Sequence, residues 1–184
     1  AYIKANNVTP QSLIEGSNVK HLFTTNEVFD DLDTFREIAK KDYKFTVAPA
    51  FRADKIMNIE AKGYLEFLGK LADLTKPINN IDDLEEALET RLLAFLEVGA
   101  KASDIAVQNV YPIATKSAAD EVLKKAISGK AITEKDAEKF KGYLTYSLMK
   151  LYGKHGVRTE LHLGAMRNNN AIMLKKLGLD TGFD

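Results

Sequence analysis

The chain has 184 residues, enough for one domain with a sizeable core. Lysine plus arginine and aspartate plus glutamate balance at 26 each. That balance excludes a general nucleic-acid binder, which needs an excess of positive charge for phosphate contacts, although a local basic pocket for a small anion stays open. There is no cysteine, so disulfides, thiolate nucleophiles and cysteine-based zinc sites are ruled out. No apolar run approaches a membrane span and no signal peptide is visible, which makes the cytoplasm the default and a membrane partner unexpected.

In chain order, Pro10 to Glu15 reads as a short helix, with Thr9 as its N-cap and Pro10 as its first residue. Asn18 to Thr25 reads as a strand. His21 lies well before its end, so a packed or rim histidine is the simpler reading. Thr24, Thr25, Asn26 and Glu27 fall at its C-terminal end, where they either face a ligand or merely turn the chain. A helix follows from Asp31 to Lys40, with Leu32, Phe35, Ile38 and Ala39 at helical spacing.

Tyr43 to Pro49 reads as the second strand, ending in the charged loop Ala50 to Lys55. Arg52 in that loop can fork onto a ligand carboxylate through two parallel hydrogen bonds, or pair internally with Asp54 or another carboxylate. Two helices come next, Gly63 to Leu74 and Ile81 to Val98, the second closed by Gly99. Lys101 to Asp104 is a short third strand, and an aspartate at a strand mouth is costly unless paired, hydrated or ligand-bound. A loop runs from Ile105 to Thr115, and helices span Ser117 to Ile127 and Thr133 to about His155. Thr133 and Asp136 form a capping box, and His155 suits a helix C-terminus.

Val157 to Leu163 is the fourth strand, with His162 one residue from its end. Arg167 and Asn168 to Asn170 follow, then an amphipathic helix from Ala171 to Leu177. Three consecutive asparagines either cap that helix or hold a polar ligand. No HExxH, GxSxG or phosphate-binding loop occurs. Short strands alternating with helices predict an α/β fold, either a partial TIM-type (β/α)8 barrel with about four parallel strands or an open doubly wound sheet. In a barrel, the polar residues after each strand, from Thr24 to Asn26 through Arg52, Asp104, His162 and Arg167, converge on one face.

Four runs together resemble the uronate isomerase family of the amidohydrolase superfamily: VKHLFTTNEVFDDL, FTVAPAFRADKIMNIE, GAKASDIAV and ELHLGAMRNNN, the last followed by LGLDTGFD. The resemblance covers most of the chain. It implies that residues 1–184 are one unit, the middle portion of a (β/α) barrel. It implies an aldose–ketose isomerase that moves a proton between C2 and C1 of a hexuronate, turning D-glucuronate into D-fructuronate and D-galacturonate into D-tagaturonate.

By the same resemblance, Arg52 binds the substrate's C6 carboxylate and Asp104 and His162 are catalytic residues around the hydroxyls and carbonyl. His162 would polarise O1 or O2 or bind a metal, and Asp104 would orient a hydroxyl or relay a proton. Arg167 and Asn168 would bind substrate at the same mouth. The family's metal pair and proton-abstracting aspartate have no counterpart among these residues, so no metal ligand is assigned. A divalent metal, zinc, is expected only in a longer enzyme, and this polypeptide alone is expected to be inactive. Two departures from the family, Asn26 in place of an acidic residue and Ile105 in place of histidine, predict weaker ligand or proton handling. The partners expected are a hexuronate and either further copies of the chain or the rest of a parent protein. The rival readings are a metal-dependent hydrolase of the same superfamily and a non-catalytic partial barrel that at most binds an acid sugar.

Overall fold

Four strands line up side by side in their order along the chain: β1 (His21–Glu27), β2 (Thr46–Arg52), β3 (Ala102–Val107) and β4 (Arg158–Leu163). All three pairings are parallel. The computed structural model describes residues 2–5, 8–165, 168–179 and 181–182. Among these, the helices are α1 (Tyr2–Ala5), α2 (Pro10–Gly16), α3 (Asp33–Ala39), α4 (Asp54–Met57), α5 (Tyr64–Asp73), α6 (Ile81–Glu97), α7 (Lys116–Ile127), α8 (Glu134–His155) and α9 (Ala171–Leu177). A doubly wound sheet reverses its strand order and carries helices on both faces. Here the order never reverses, and the sheet is an arc of a (β/α) barrel.

The helices begin and end where local chemistry says they should. Thr9 and Ser12 cap α2 reciprocally, and Thr133 and Asp136 do the same for α8. Asn80 accepts from Asp83 N to open α6, and Thr115 accepts from Ala118 N to open α7. Gly156 closes α8 with φ +66°, a left-handed conformation that a side chain would resist. Neither α1 nor α4 is predicted from the sequence; both are single turns of four residues, too short to show periodicity.

The strands depart further from expectation. β1 begins at His21 rather than Asn18, and β2 runs from Thr46 through Pro49 to Arg52 instead of stopping at the proline. The reason lies in which neighbour each residue serves. Thr46 N donates to Lys20 O, and Arg52 O accepts from Val28 N. Alternate residues 46 to 52 therefore pair with β1, while Pro49 faces β3. On that side the only pairing is Phe51 with Ser103, so the missing N–H of Pro49 is not needed. β3 likewise runs on to Val107, which puts Asp104 inside the strand rather than at its mouth.

One face of the sheet carries the core. Phe51 sits edge-on to Phe95 of α6 and Tyr152 of α8, with ring centroids 5.1 and 6.1 Å away. Ile105, Leu92, Leu123, Phe140 and Leu144 fill the same fully buried cluster. The other face is the concave one in a barrel. Phe23 and Ala106 are exposed there, and every residue of β4 is exposed.

Candidate active site

Strand parity decides which side chains meet. Phe51 and Ile105 point to the helices, so Arg52 and Asp104 point to the concave face, together with Thr25 and His162. Asp104 is the hub. It is 5% exposed. Its Oδ2 accepts from Thr25 Oγ1 at 2.9 Å and from Arg52 Nη2 at 2.5 Å. His162 Nε2 stands 3.0 Å from Asp104 Oδ1 and 3.3 Å from Glu160 Oε1. That approach is off-line for a hydrogen bond, which leaves Asp104 Oδ1 buried without a hydrogen-bonding partner. A buried polar atom left in this state marks a place where another group belongs.

A cavity of about 830 Å³ opens at the C-terminal ends of the strands. Its polar lining includes Arg52, Asp54, Asn58, Gln108, Tyr111, Lys141, His162 and Asn168. Lys141 reaches it from α8, paired with Glu60. Gly142 beside it has no room for a Cβ, because the Tyr111–Pro112 backbone lies directly against the helix there; this contact brings Tyr111 over the cavity. Asp104 does not itself line the cavity. It sits behind Arg52 and His162 and reaches the cavity through them.

Carboxylates crowd the Arg52 guanidinium. Asp54 Oδ2 is 3.6 Å from Arg52 Nε, so the internal ion pair anticipated from the sequence exists, and Asp104 is the closer partner. Burial raises the Asp54 carboxyl above the usual range, against the pull of the Ala106 N–H and of Arg52. Glu27, paired along the ladder with Arg52, is pushed up to about 7, mainly by burial and further by Asp54, with Lys55 and Arg52 opposing. Its Oε2 is buried without a hydrogen-bond partner.

Arg52 and His162 are thus both brought onto the Asp104 carboxylate, and Asn168 borders the same cavity. Arg167 lies outside the described residues. Of the asparagine run, Asn170 caps α9, accepting from Met173 N at 3.1 Å, while Asn168 adopts a left-handed φ of +59° at the cavity edge. His21 hydrogen-bonds Thr46 at the opposite ends of the strands, and His155 closes α8 against Glu89.

The two departures from the family pattern fall away from the concave face. Ile105 is fully buried under the helices, and Asn26 is spent on Thr24 and Asp30. The expectation that they disturb the mouth is therefore corrected by the alternation of the pleat. Asp54, Asn58, Gln108 and Lys141 were not singled out as site residues from the sequence. For Asp54 a signal existed, a carboxylate two residues past Arg52; the others sit on helices or loops with no distinguishing pattern.

Among the described residues, no group of three or more His, Asp or Glu side chains is placed to hold a metal ion. His162 Nε2 faces the Asp104 and Glu160 carboxylates at 3.0 and 3.3 Å, and these three side chains are not placed as a metal-holding group. No helix among the described residues is long and apolar enough to cross a membrane.

Comparison with known proteins converges on one family. The glucuronate isomerase family model matches residues 1–184. The uronate isomerase of Clostridium perfringens is 37% identical over 99% of this chain, and that of Clostridium acetobutylicum 38% identical over 98%. In each case the chain spans 40% of the relative's length. The crystal structure of uronate isomerase from Thermotoga maritima superposes with a TM-score of 0.89 at 28% identity, covering 98% of this chain and 41% of that one. Glucuronate isomerase from Caulobacter crescentus, at 23% identity, shares the fold with a TM-score of 0.84 over 95% of this chain and 37% of its own. With the family model covering the chain from end to end, this polypeptide belongs to the glucuronate (uronate) isomerase family.

Proposed function

We propose that this chain forms one wall of a uronate isomerase site that converts D-glucuronate to D-fructuronate and D-galacturonate to D-tagaturonate. The observation that carries the reading is the Arg52–Asp104–His162 contact, with a cation and an imidazole opening on one cavity and held by one buried carboxylate. In the reaction, a base removes the C2 proton of the open-chain aldose and a cis-enediol forms. The proton returns at C1, O2 loses its hydrogen as the carbonyl forms there, and O1 gains one.

Arg52 supplies the clamp for the C6 carboxylate, a charge-assisted and bidentate type of contact. His162 offers a hydrogen-bond donor to the oxygen on which enediolate charge develops. Asp104 works through both, orienting them and passing a proton to or from His162. Asn168, at the cavity edge, and Arg167 bind the substrate. No step is routed through a metal, and any divalent ion belongs to residues other than these.

The 184 residues act as one unit, the middle of a (β/α)8 barrel of the amidohydrolase superfamily in the cytoplasm. The β1 and β4 edges are covered by further barrel strands or by another copy of the chain.

The test is ligand titration of the purified chain, followed by NMR. D-glucuronate is expected to shift Arg52 and His162 resonances, while D-glucose, which lacks the carboxylate, leaves them unmoved. Arg52→Met abolishes the shifts. Equal responses to both sugars would overturn the assignment of Arg52. Assayed alone, the chain is expected to form no fructuronate, because the proton-abstracting base is not among its assigned residues; measurable turnover would show that this wall suffices.

A further inference from the structure

The middle seam of the sheet is thin. β1 and β2 pair over seven residues and β3 and β4 over six, but β2 meets β3 only at Phe51 and Ser103. Both main groups of the site hang on this seam, since Arg52 ends β2 and Asp104 lies on β3. At its top, the Ala106 N–H faces the β2 side just where β2 has stopped. No strand residue takes that hydrogen. Asp54 does: its Oδ1 accepts from Ala106 N at 3.0 Å. Its other oxygen, Oδ2, lies 3.6 Å from Arg52 Nε, a buried donor with no hydrogen bond of its own. Ala106 in turn is the ladder partner of His162.

We propose that Asp54 is a positioning residue that holds the Arg52 guanidinium and pins the β2–β3 seam, so that Arg52, Asp104 and His162 keep one mutual geometry. The carboxylate stands where a strand hydrogen bond would otherwise be, and its second oxygen sets the Nε edge of the guanidinium while Asp104 sets the Nη2 edge. Held at two edges, the planar fork has one orientation from which to meet a carboxylate in the cavity. The ligand class rests on the uronate reading; the positioning role rests on the contacts alone.

The sign of the effect separates this role from simple electrostatics. Asp54→Asn keeps an acceptor for Ala106 N and removes a negative charge beside an anion clamp. On charge alone it should tighten acid-sugar binding. Positioning predicts the reverse: D-glucuronate affinity falls on the order of tenfold, about what one lost charge-assisted contact is worth.

Two measurements on the chain decide the matter. By NMR, Asp54→Asn is expected to retain slow exchange of the Ala106 amide and to broaden or shift the Arg52 Nε–H signal, whereas Asp54→Ala loses the slow exchange and perturbs the Arg52 signal as well. Unchanged Arg52 Nε–H signals in both variants would overturn the proposal, whether or not any sugar binds. In the titration, tighter glucuronate binding by Asp54→Asn would also overturn it. If the unsubstituted chain binds no acid sugar, the uronate reading fails, and the Arg52 signal still decides the role of Asp54.

Discussion

Glu85 and Glu27 are both partly buried glutamates, and the chain treats them in opposite ways. Glu85 stands between α6, α7 and α8. Its carboxylate accepts from Tyr143 Oη at 2.7 Å and Ser147 Oγ at 2.5 Å, and pairs with Lys116 at 2.7 Å. Burial there is the largest single influence and pushes the carboxyl up, yet Lys116, Ser147 and Tyr143 together bring it below the usual range. The same network pushes the Tyr143 hydroxyl up to about 12, through burial first and then Glu85. Glu27, at the end of β1, has the Lys55 ammonium at 3.9 Å, the weaker pulls of Arg52 and of the Lys55 N–H, and an oxygen without a partner. Partners brought by packed helices make a buried carboxylate a fastener. At the end of β1 fewer partners are supplied, and the charge becomes a cost that the fold carries.

The largest expected effect comes from titrating that cost. A folded-state value of about 7 against 4.5 for the free side chain means the native state holds the proton that the unfolded chain releases. Stability therefore falls as pH rises through that window, and the loss is complete above it. Replacing Glu27 by glutamine should flatten this slope. The stability difference between variant and parent, from urea unfolding, should grow in the variant's favour by roughly 2–3 kcal/mol between about pH 4 and about pH 8. A difference independent of pH would place Glu27 with Glu85 and erase the contrast.

Next comes Glu85→Ala, which strands the Tyr143 and Ser147 hydroxyls and takes one of two carboxylates from Lys116. A loss of about 2 kcal/mol is expected, nearly constant from neutral to mildly alkaline pH. Smallest is Thr25→Val, which removes the 2.9 Å hydrogen bond to Asp104 while keeping side-chain shape. Unfolding should register at most about 1 kcal/mol, and the informative readout is a changed Arg52 side-chain NMR signal, since Thr25 and Arg52 share Asp104 Oδ2. An unmoved Arg52 signal would mean that Asp104 does not couple the two sides of the cavity.

How far the site could be read from the residues depends on the range of the interaction. Arg52, Asp104 and His162 stood out because each is a charged or titratable group expected at or just beside the C-terminal end of a strand. Their neighbours in sequence were misjudged: Pro49 was expected to end β2, and Asp104 to lie at a mouth. The proline is tolerated because its missing donor faces a seam that needs none, which no local pattern reveals. Asp54 was seen only as a rival for Arg52, although one carboxylate can serve a guanidinium and a distant backbone N–H at once.

The sequence by itself determined the longer helices, with caps at Thr9 and Thr133, the four strands in order, and the absence of any thiol chemistry. These follow from hydrogen bonds and periodicities that span a few residues. Tertiary structure alone decided the register at the β2–β3 seam, the concave placement of Arg52 and Asp104 against the buried placement of Ile105, and the meeting of Thr25, Arg52 and His162 on one carboxylate. Those partners are separated by up to 79 residues. Only parallel pairing, which carries each strand's parity across the sheet, brings them onto the same face.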